Sequence, residues 1–245
     1  SLFKKFGLSD KILQALDDLS FDTPTPVQDQ AIVALLKKRD VLAIAQTGTG
    51  KTAAFGLPLL AQLEKSHQRN TFHSQALILA PTRELAAQIQ EALKNYAKYL
   101  PIKLALIVGG VAFGSQLKSL QEGVDIVVAT PGRLLDHARD GHFFFEDVRY
   151  LVLDEADRML DMGFIDDIQR ILKACPPQRQ TMLFSATFSK DIRQLADRIL
   201  NAPVTIEIAP NRDVAGIKQT IYQINQENKR DFLRDLIVDH QWSQV

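Results

Sequence analysis

A chain of 245 residues with 46% hydrophobic and 24% charged residues carries enough apolar sequence to bury a full core, which excludes wholesale disorder. Its 29 Lys and Arg balance its 29 Asp and Glu, so no global positive field marks it for nucleic acid; any such contact must come from a local patch. The longest nearly unbroken apolar run, residues 104–114, is far shorter than the roughly 20 residues a membrane helix needs, and residues 1–6 lack a signal-peptide core. Cys175 is the only cysteine, so no internal disulfide is possible; beside Pro176 and Pro177 it reads as a small core or helix-end residue. A cytoplasmic setting is expected.

Two helices are predicted first, over 10–19 and 26–36, joined by the turn-forming Asp22-Thr23-Pro24-Thr25-Pro26 segment. Runs rich in Val, Ile and Leu then recur at 41–45, 76–80, 104–108, 126–129, 150–153, 182–184 and 204–208, and read as buried strands. Between them lie helical patterns: 84–99 carries Leu85, Ile89, Ala92, Leu93 and Tyr96 on one face, and 165–174 carries Ile168, Ile171 and Leu172. This alternation predicts an α/β fold, an open, mostly parallel β-sheet with helices on both faces and ligands beyond the carboxyl ends of its strands. Turn formers mixed with charge at 210–216 place a boundary there. Residues 1–209 form one domain, 210–217 a linker, and 218–245 a strand (220–224) and helix (229–240) too small for a core of their own. That last unit is expected to dock on this lobe or on a neighbouring molecule.

Between the first strand and the next helix stands Ala45-Gln46-Thr47-Gly48-Thr49-Gly50-Lys51-Thr52, a glycine-rich loop with phosphate-binding chemistry. Gly48 and Gly50 let the backbone curl so that the N–H groups of Thr47 to Thr52 and the helix N-terminus face phosphate oxygens. Lys51 supplies a cation for the β and γ phosphates of ATP, and the Thr52 hydroxyl is a ligand for Mg²⁺. Ala45 occupies the position where the general pattern has glycine. The strand 150–153 delivers Asp154 and Glu155 to the same sheet edge, where Asp154 is placed to hold Mg²⁺ largely through water and Glu155 to activate the water that attacks the γ-phosphate.

With Asp154-Glu155-Ala156-Asp157 on the page, the sequence resembles the DEAD-box ATP-dependent RNA helicases of superfamily two along its whole length. The family's phosphate loop also begins with Ala, as at Ala45. Its other motifs appear in order: Pro81-Thr82-Arg83-Glu84-Leu85, Gly109-Gly110, Thr130-Pro131-Gly132-Arg133 and Ser185-Ala186-Thr187. Upstream, within 1–36, Phe21 and Pro24 to Gln28 are similar to the family's Q motif, with Ser20 where glycine is usual. The resemblance implies a RecA-like P-loop NTPase lobe followed by the first piece of a second lobe. It implies that the Gln28 amide reads adenine, that Phe3 stacks on the base and Phe21 lines its site, and that Pro81, Thr82, Arg83, Gly110, Thr130, Gly132 and Arg133 line a groove for the RNA backbone. It further implies that Ser185 and Thr187 bond toward Asp157 and couple the two lobes.

The function implied is binding of ATP, Mg²⁺ and single-stranded RNA, with hydrolysis coupled to local duplex unwinding or to remodelling of RNA–protein complexes once a second lobe is present. By itself this chain should turn over little. Two rival readings are a DNA-directed helicase of the same superfamily and an ATP-gated RNA clamp that does not turn over. Glu155 argues against the clamp, and the Q motif with Thr-Pro-Gly-Arg against the DNA enzyme. His137 and His142, the histidines nearest to ligand spacing, read as solvated surface, and Phe143-Phe144-Phe145 as core or loop packing.

Overall fold

Period-two alternation in the strands decides where the helices go. The structure, a computed structural model, describes residues 1–66, 73–209, 230–232 and 234–235. Among these, β1 (Val41–Ile44), β2 (Ala76–Leu79), β3 (Leu104–Ile107), β4 (Ile126–Ala129), β5 (Tyr150–Leu153), β6 (Gln180–Ser185) and β7 (Val204–Glu207) form one sheet in the order β3-β4-β2-β5-β6-β1-β7. Every described pairing is parallel, sharper than the mixed sheet the sequence allowed, so strands must be joined by crossovers.

One alternating set, including Val41, Ala43, Ile78, Val128, Val152 and Phe184, is buried in a core with α1 (Asp10–Asp18), α2 (Pro26–Leu36), α3 (Lys51–Ser66) and α4 (Arg83–Tyr96). The intervening set, including Leu42, Leu77, Ile107, Val127, Leu153 and Leu183, packs with α5 (Phe113–Gln121), α6 (Pro131–Arg139), α7 (Ala156–Asp161), α8 (Ile165–Ala174) and α9 (Lys190–Ile199). Helices therefore cover both faces, and each fully buried aliphatic side chain contributes about 1.5–3 kcal/mol. A one-residue slip of any strand would exchange its two faces, which pins the register and with it the positions of the loops.

Ser20 stands where the backbone favours glycine: it leaves α1 at φ 58°, in the left-handed region, with its side chain exposed. An L-residue there is strained by about 1–2 kcal/mol, partly offset by the entropy glycine would lose on folding. Ser20→Gly should therefore stabilise the chain by about 0.5–1 kcal/mol in denaturant melts. An unchanged or lowered midpoint would show that the Ser20 turn is unstrained.

The chain divides into two compact units, Ser1–Pro210 and Asn211–Val245. The expected linker at 210–217 and strand at 220–224 lie outside the described residues. Of the helix expected at 229–240, residues 230–232 and 234–235 are helical, with Arg234 3.5 Å from Asp231 and 3.1 Å from Asp235.

Candidate nucleotide and RNA sites

Parallel pairing brings the strand exits to one edge of the sheet, and strand order splits that edge in two. The β5-β6-β1 half collects Asp154, Ser185 and the phosphate loop; the Ala45 N–H donates to the Ser185 carbonyl at 2.9 Å. The β3-β4-β2 half collects Gly109-Gly110, Thr130 and Pro81; there the Thr130 N–H donates to Ile107 O at 3.1 Å and that of Ala80 to Ala129 O at 3.0 Å. Asp154, whose N–H donates to Leu79 O, stands where the halves meet.

On the first half, Gly48 (φ 82°) and Gly50 (φ 85°) turn the loop into α3, with Thr47 and Gly48 exposed, Thr49 half-buried and its hydroxyl donating to Gln46 O at 2.8 Å. Lys51 begins α3 and is 8% exposed; Thr52 follows on the same first turn, half-buried. The Lys51 ammonium lies 3.7 Å from Asp154 Oδ1, too far for a good hydrogen bond, and has no hydrogen-bond partner among the described residues. An unsatisfied buried charge is costly, so this ammonium is set to receive an anion. Asp154 is 2% exposed and accepts from the Glu155 N–H at 2.9 Å. Burial pushes its carboxyl above the usual range, more than nearby Lys51 pulls it down. A buried carboxylate in that condition favours a second cation. The residues present thus fit both a phosphate and Mg²⁺. Among the described residues no three His, Cys, Asp or Glu side chains converge on a metal, which suits an ion held largely by water and phosphate.

On the expected adenine side, Phe3 has no accessible surface; its ring packs 6.5 Å from Phe21 and 6.0 Å from Phe6. Phe21 is half-buried between Phe3 and Tyr96. Gln28 is also buried: Oε1 accepts from the Thr25 N–H at 3.0 Å and Nε2 donates to Gly50 O at 3.1 Å, which uses one of two donors and one of two lone pairs of its amide. Thr25 completes a capping box on α2 and donates its own hydroxyl to Thr49 O at 2.7 Å. In this arrangement Gln28 ties the α2 cap to the phosphate loop. It also explains Gly50, since a side chain there would collide with the Gln28 Nε2 as well as sit at a positive φ.

At the exit of β5, Glu155 holds φ 48°, ψ 50°, a left-handed conformation in a non-glycine residue, with Oε2 3.4 Å from Arg158. Thr187 donates its hydroxyl to Asp157 Oδ2 at 3.3 Å. Ser185 does not reach Asp157: its hydroxyl donates to Thr187 O at 2.7 Å and accepts from the Thr187 N–H at 3.3 Å, so it shapes the turn that presents Thr187. Gln46 donates to Ala186 O at 3.3 Å and ties this turn to the phosphate loop.

On the second half, the N-termini of α4 and α6 lie on neighbouring strands, β2 and β4. Thr82 caps α4 by accepting from the Leu85 N–H at 3.2 Å, whereas Thr130 makes no cap bond with its hydroxyl. Pro81 is buried, Arg83 exposed and Gly132 half-buried. Gly110 lies against the exposed Arg83 guanidinium at φ 74°, a backbone conformation that disfavours a side chain. Arg133 donates to Val111 O at 2.9 Å and Gln116 Oε1 at 3.3 Å, which pins the glycine loop to α6. Two helix N-termini, backbone N–H groups and guanidinium groups suit phosphate oxygens.

The DEAD/DEAH box helicase model matches residues 25–195, from the α2 cap through α9. This chain belongs to the DEAD/DEAH box helicase family. It is 44% identical over 233 residues to the ATP-dependent RNA helicase DeaD of Haemophilus influenzae, covering 94% of this chain and 37% of that protein. Identity is 44% over 225 residues to the RNA helicase CrhR of Synechocystis, covering 91% and 45%, and 41% over 250 residues to the ATP-dependent RNA helicase RhlB of Pseudomonas putida, covering 99% and 63%. A crystal structure of a DEAD box protein from Methanococcus jannaschii superposes with a TM-score of 0.80 at 38% identity, covering 96% of this chain and 62% of that one. The chain thus spans from about a third to under two thirds of the relatives named.

For this helicase-family lobe, sequence reasoning gave no role to Gln46, Gln116 or Arg158; Gln46 lies within the phosphate loop and Arg158 just after Asp157, whereas Gln116 is brought in only by the fold. His137 was misread: it is fully buried, not solvated surface. Phe143 is buried, as core packing predicts, while Phe144 is exposed and stacks 4.9 Å from His73. Cys175 is buried, its thiol pushed up to about 11 by burial, which makes it inert at neutral pH. No helix among the described residues is long and apolar enough to cross a membrane.

Proposed function

We propose that this lobe binds ATP with Mg²⁺ on the β5-β6-β1 half of its strand-exit edge and the backbone of single-stranded RNA on the β3-β4-β2 half. The observation that carries the reading is the buried Lys51 ammonium, 3.7 Å from the buried Asp154 carboxylate and without a hydrogen-bond partner among the described residues. In the roles proposed, Lys51 and the loop N–H groups hold the phosphates, Thr52 and Asp154 hold Mg²⁺, and Glu155 accepts the proton of the attacking water. Mg²⁺ supplies charge neutralisation at the terminal phosphates. Joined to the second lobe of its parent, the protein hydrolyses ATP and separates short RNA duplexes or remodels RNA–protein complexes. The Thr187–Asp157 bond joins the exits of β6 and β5 within the nucleotide half, a place where lobe closure can be sensed.

ATPase activity should be measured on this chain, and on the chain joined to the second lobe, with single-stranded RNA and with DNA. We expect a nearly silent single lobe and at least tenfold RNA stimulation of the joined protein, about 1.4 kcal/mol in barrier. Equal stimulation by DNA would favour the DNA-directed reading, and RNA binding without turnover would favour the clamp.

A further inference from the structure

Behind the RNA-facing half lies a buried polar chain that no motif accounts for. His137, on α6, has no accessible surface, and its ring lies flat on Phe113 with centroids 3.8 Å apart and planes 1° from parallel. Its Nε2 is 2.9 Å from Gln116 Oε1, and its Nδ1 is 3.4 Å from the Nδ1 of His142. Gln116, 3% exposed, donates from Nε2 to Val108 O at 2.7 Å, immediately before Gly109-Gly110. The same Gln116 Oε1 accepts from Arg133, whose guanidinium lies 5.6 Å from the Phe113 ring centre.

Bond polarity follows from the carbonyl at one end. Val108 O only accepts, so the Gln116 atom facing it is the NH₂ and the atom facing His137 and Arg133 is the oxygen. His137 must then carry its proton on Nε2, and in the neutral ring Nδ1 is left to accept from the His142 Nδ1–H. The chain therefore runs His142 to His137 to Gln116 to Val108, with Arg133 joined at the Gln116 oxygen. A second proton on His137 would set two N–H groups against each other at the His142 contact.

We infer that His137 is a positioning residue for RNA binding: by donating to Gln116 in its neutral form, it holds Arg133 and the Gly109-Gly110 loop in their RNA-facing arrangement. This rests on the groove reading proposed above. The surroundings favour the neutral ring: burial lowers the His137 pKa below its usual value, the neighbouring His142 and Arg133 add to this, and Asp136 and Asp140 oppose it more weakly. The folded pKa is depressed, so the stability tied to the neutral ring is complete above about 6.5 and lost as pH falls through the lower folded value. Protons have a route in, because His142 is half-buried and lines an open cavity of about 210 Å³ together with His73 and Phe144.

The test uses the full 245-residue chain, a fluorescent single-stranded oligouridine and ATP with Mg²⁺, comparing Arg133→Ala, His137→Phe and His137→Asn. Phe keeps the stacked ring and removes both nitrogens, while Asn keeps a side-chain N–H donor. Expected at pH 7.5 is a threefold to tenfold weaker RNA affinity for His137→Phe, about one lost hydrogen bond, with ATP affinity unchanged and part of the loss restored in His137→Asn. If Arg133→Ala weakens RNA binding and folded His137→Phe does not, the positioning role is overturned while the groove stands. If Arg133→Ala has no effect, the groove reading falls and this inference with it. A readout that needs neither variant to fold nor RNA is a pH titration of the unmodified chain by NMR. The Gly109 and Gly110 amide shifts should move with the His137 ring, with a midpoint below 6.5. Glycine shifts that stay flat while the ring titrates would also overturn it.

Discussion

Lys51→Ala should lower ATP affinity at least a hundredfold, because it removes the only cation among the described residues buried against the phosphate loop and Asp154. Truncating one member of a buried charge pair typically costs about 2–5 kcal/mol, or roughly 30-fold to several thousandfold in affinity. Nothing nearby can substitute: Arg158, the cation beside Glu155, is 3.4 Å from that carboxylate and more than half exposed. The variant also leaves Asp154 without its opposing charge, so the carboxyl is raised further. A raised carboxyl contributes stability that is full below its unfolded value and is lost as pH rises through the folded one. The unliganded variant should therefore lose more stability than the wild-type lobe on going from pH 4 to pH 7.5. Calorimetric titration with ATP and Mg²⁺, and thermal melts with and without nucleotide, read both effects. Wild-type ligand stabilisation grows with the logarithm of nucleotide concentration, and the variant's melts should not move. Wild-type affinity in Lys51→Ala would sink the phosphate assignment.

How much of this was legible beforehand differs between fold and site, and particular residues show why. Strand positions were readable because buried parallel strands are short continuous apolar runs, and β1, β2, β4 and β5 fell within a residue of expectation. β6 ran longer than its apolar centre because Gln180 and Ser185 take ladder positions as polar residues: Gln180 donates to Leu35 O and Arg39 O, and Ser185 to the turn after it. Phosphate-loop and acidic residues were readable because their chemistry constrains both type and spacing. Gln28 and Phe3 were read as ligand contacts because type and position matched; their engagement with Thr25, Gly50 and Phe21 depends on distances that no spacing encodes. His137 was misread as surface. A histidine between charged residues on α6 looks solvated until Phe113, 24 positions earlier, is brought across it by the β3-β4 pairing.

Glu155 is where stability and function should separate. It occupies the left-handed region at φ 48°, which an L-residue enters at about 1–2 kcal/mol, and its only side-chain partner among the described residues is Arg158, at a long 3.4 Å. Such strain persists where the surroundings demand it, here the turn from β5 into α7 that places two successive carboxylates at the strand exit. Glu155→Gln keeps the shape and the strain but removes the proposed base. In the parent protein it should retain ATP and RNA binding while turnover falls about 10²-fold to 10⁴-fold, the usual contribution of a positioned general base. Glu155→Gly should abolish turnover equally, yet raise the midpoint of thermal unfolding by about 1–3 °C. Glycine adopts the left-handed turn without strain, and the lost Arg158 pair is worth only a few tenths of a kcal/mol. Steady-state ATPase and calorimetry on the two variants separate the cases. Unchanged hydrolysis in Glu155→Gln removes the base from Glu155, and a lower melting midpoint in Glu155→Gly means that the carboxylate, not the sheet, holds the turn.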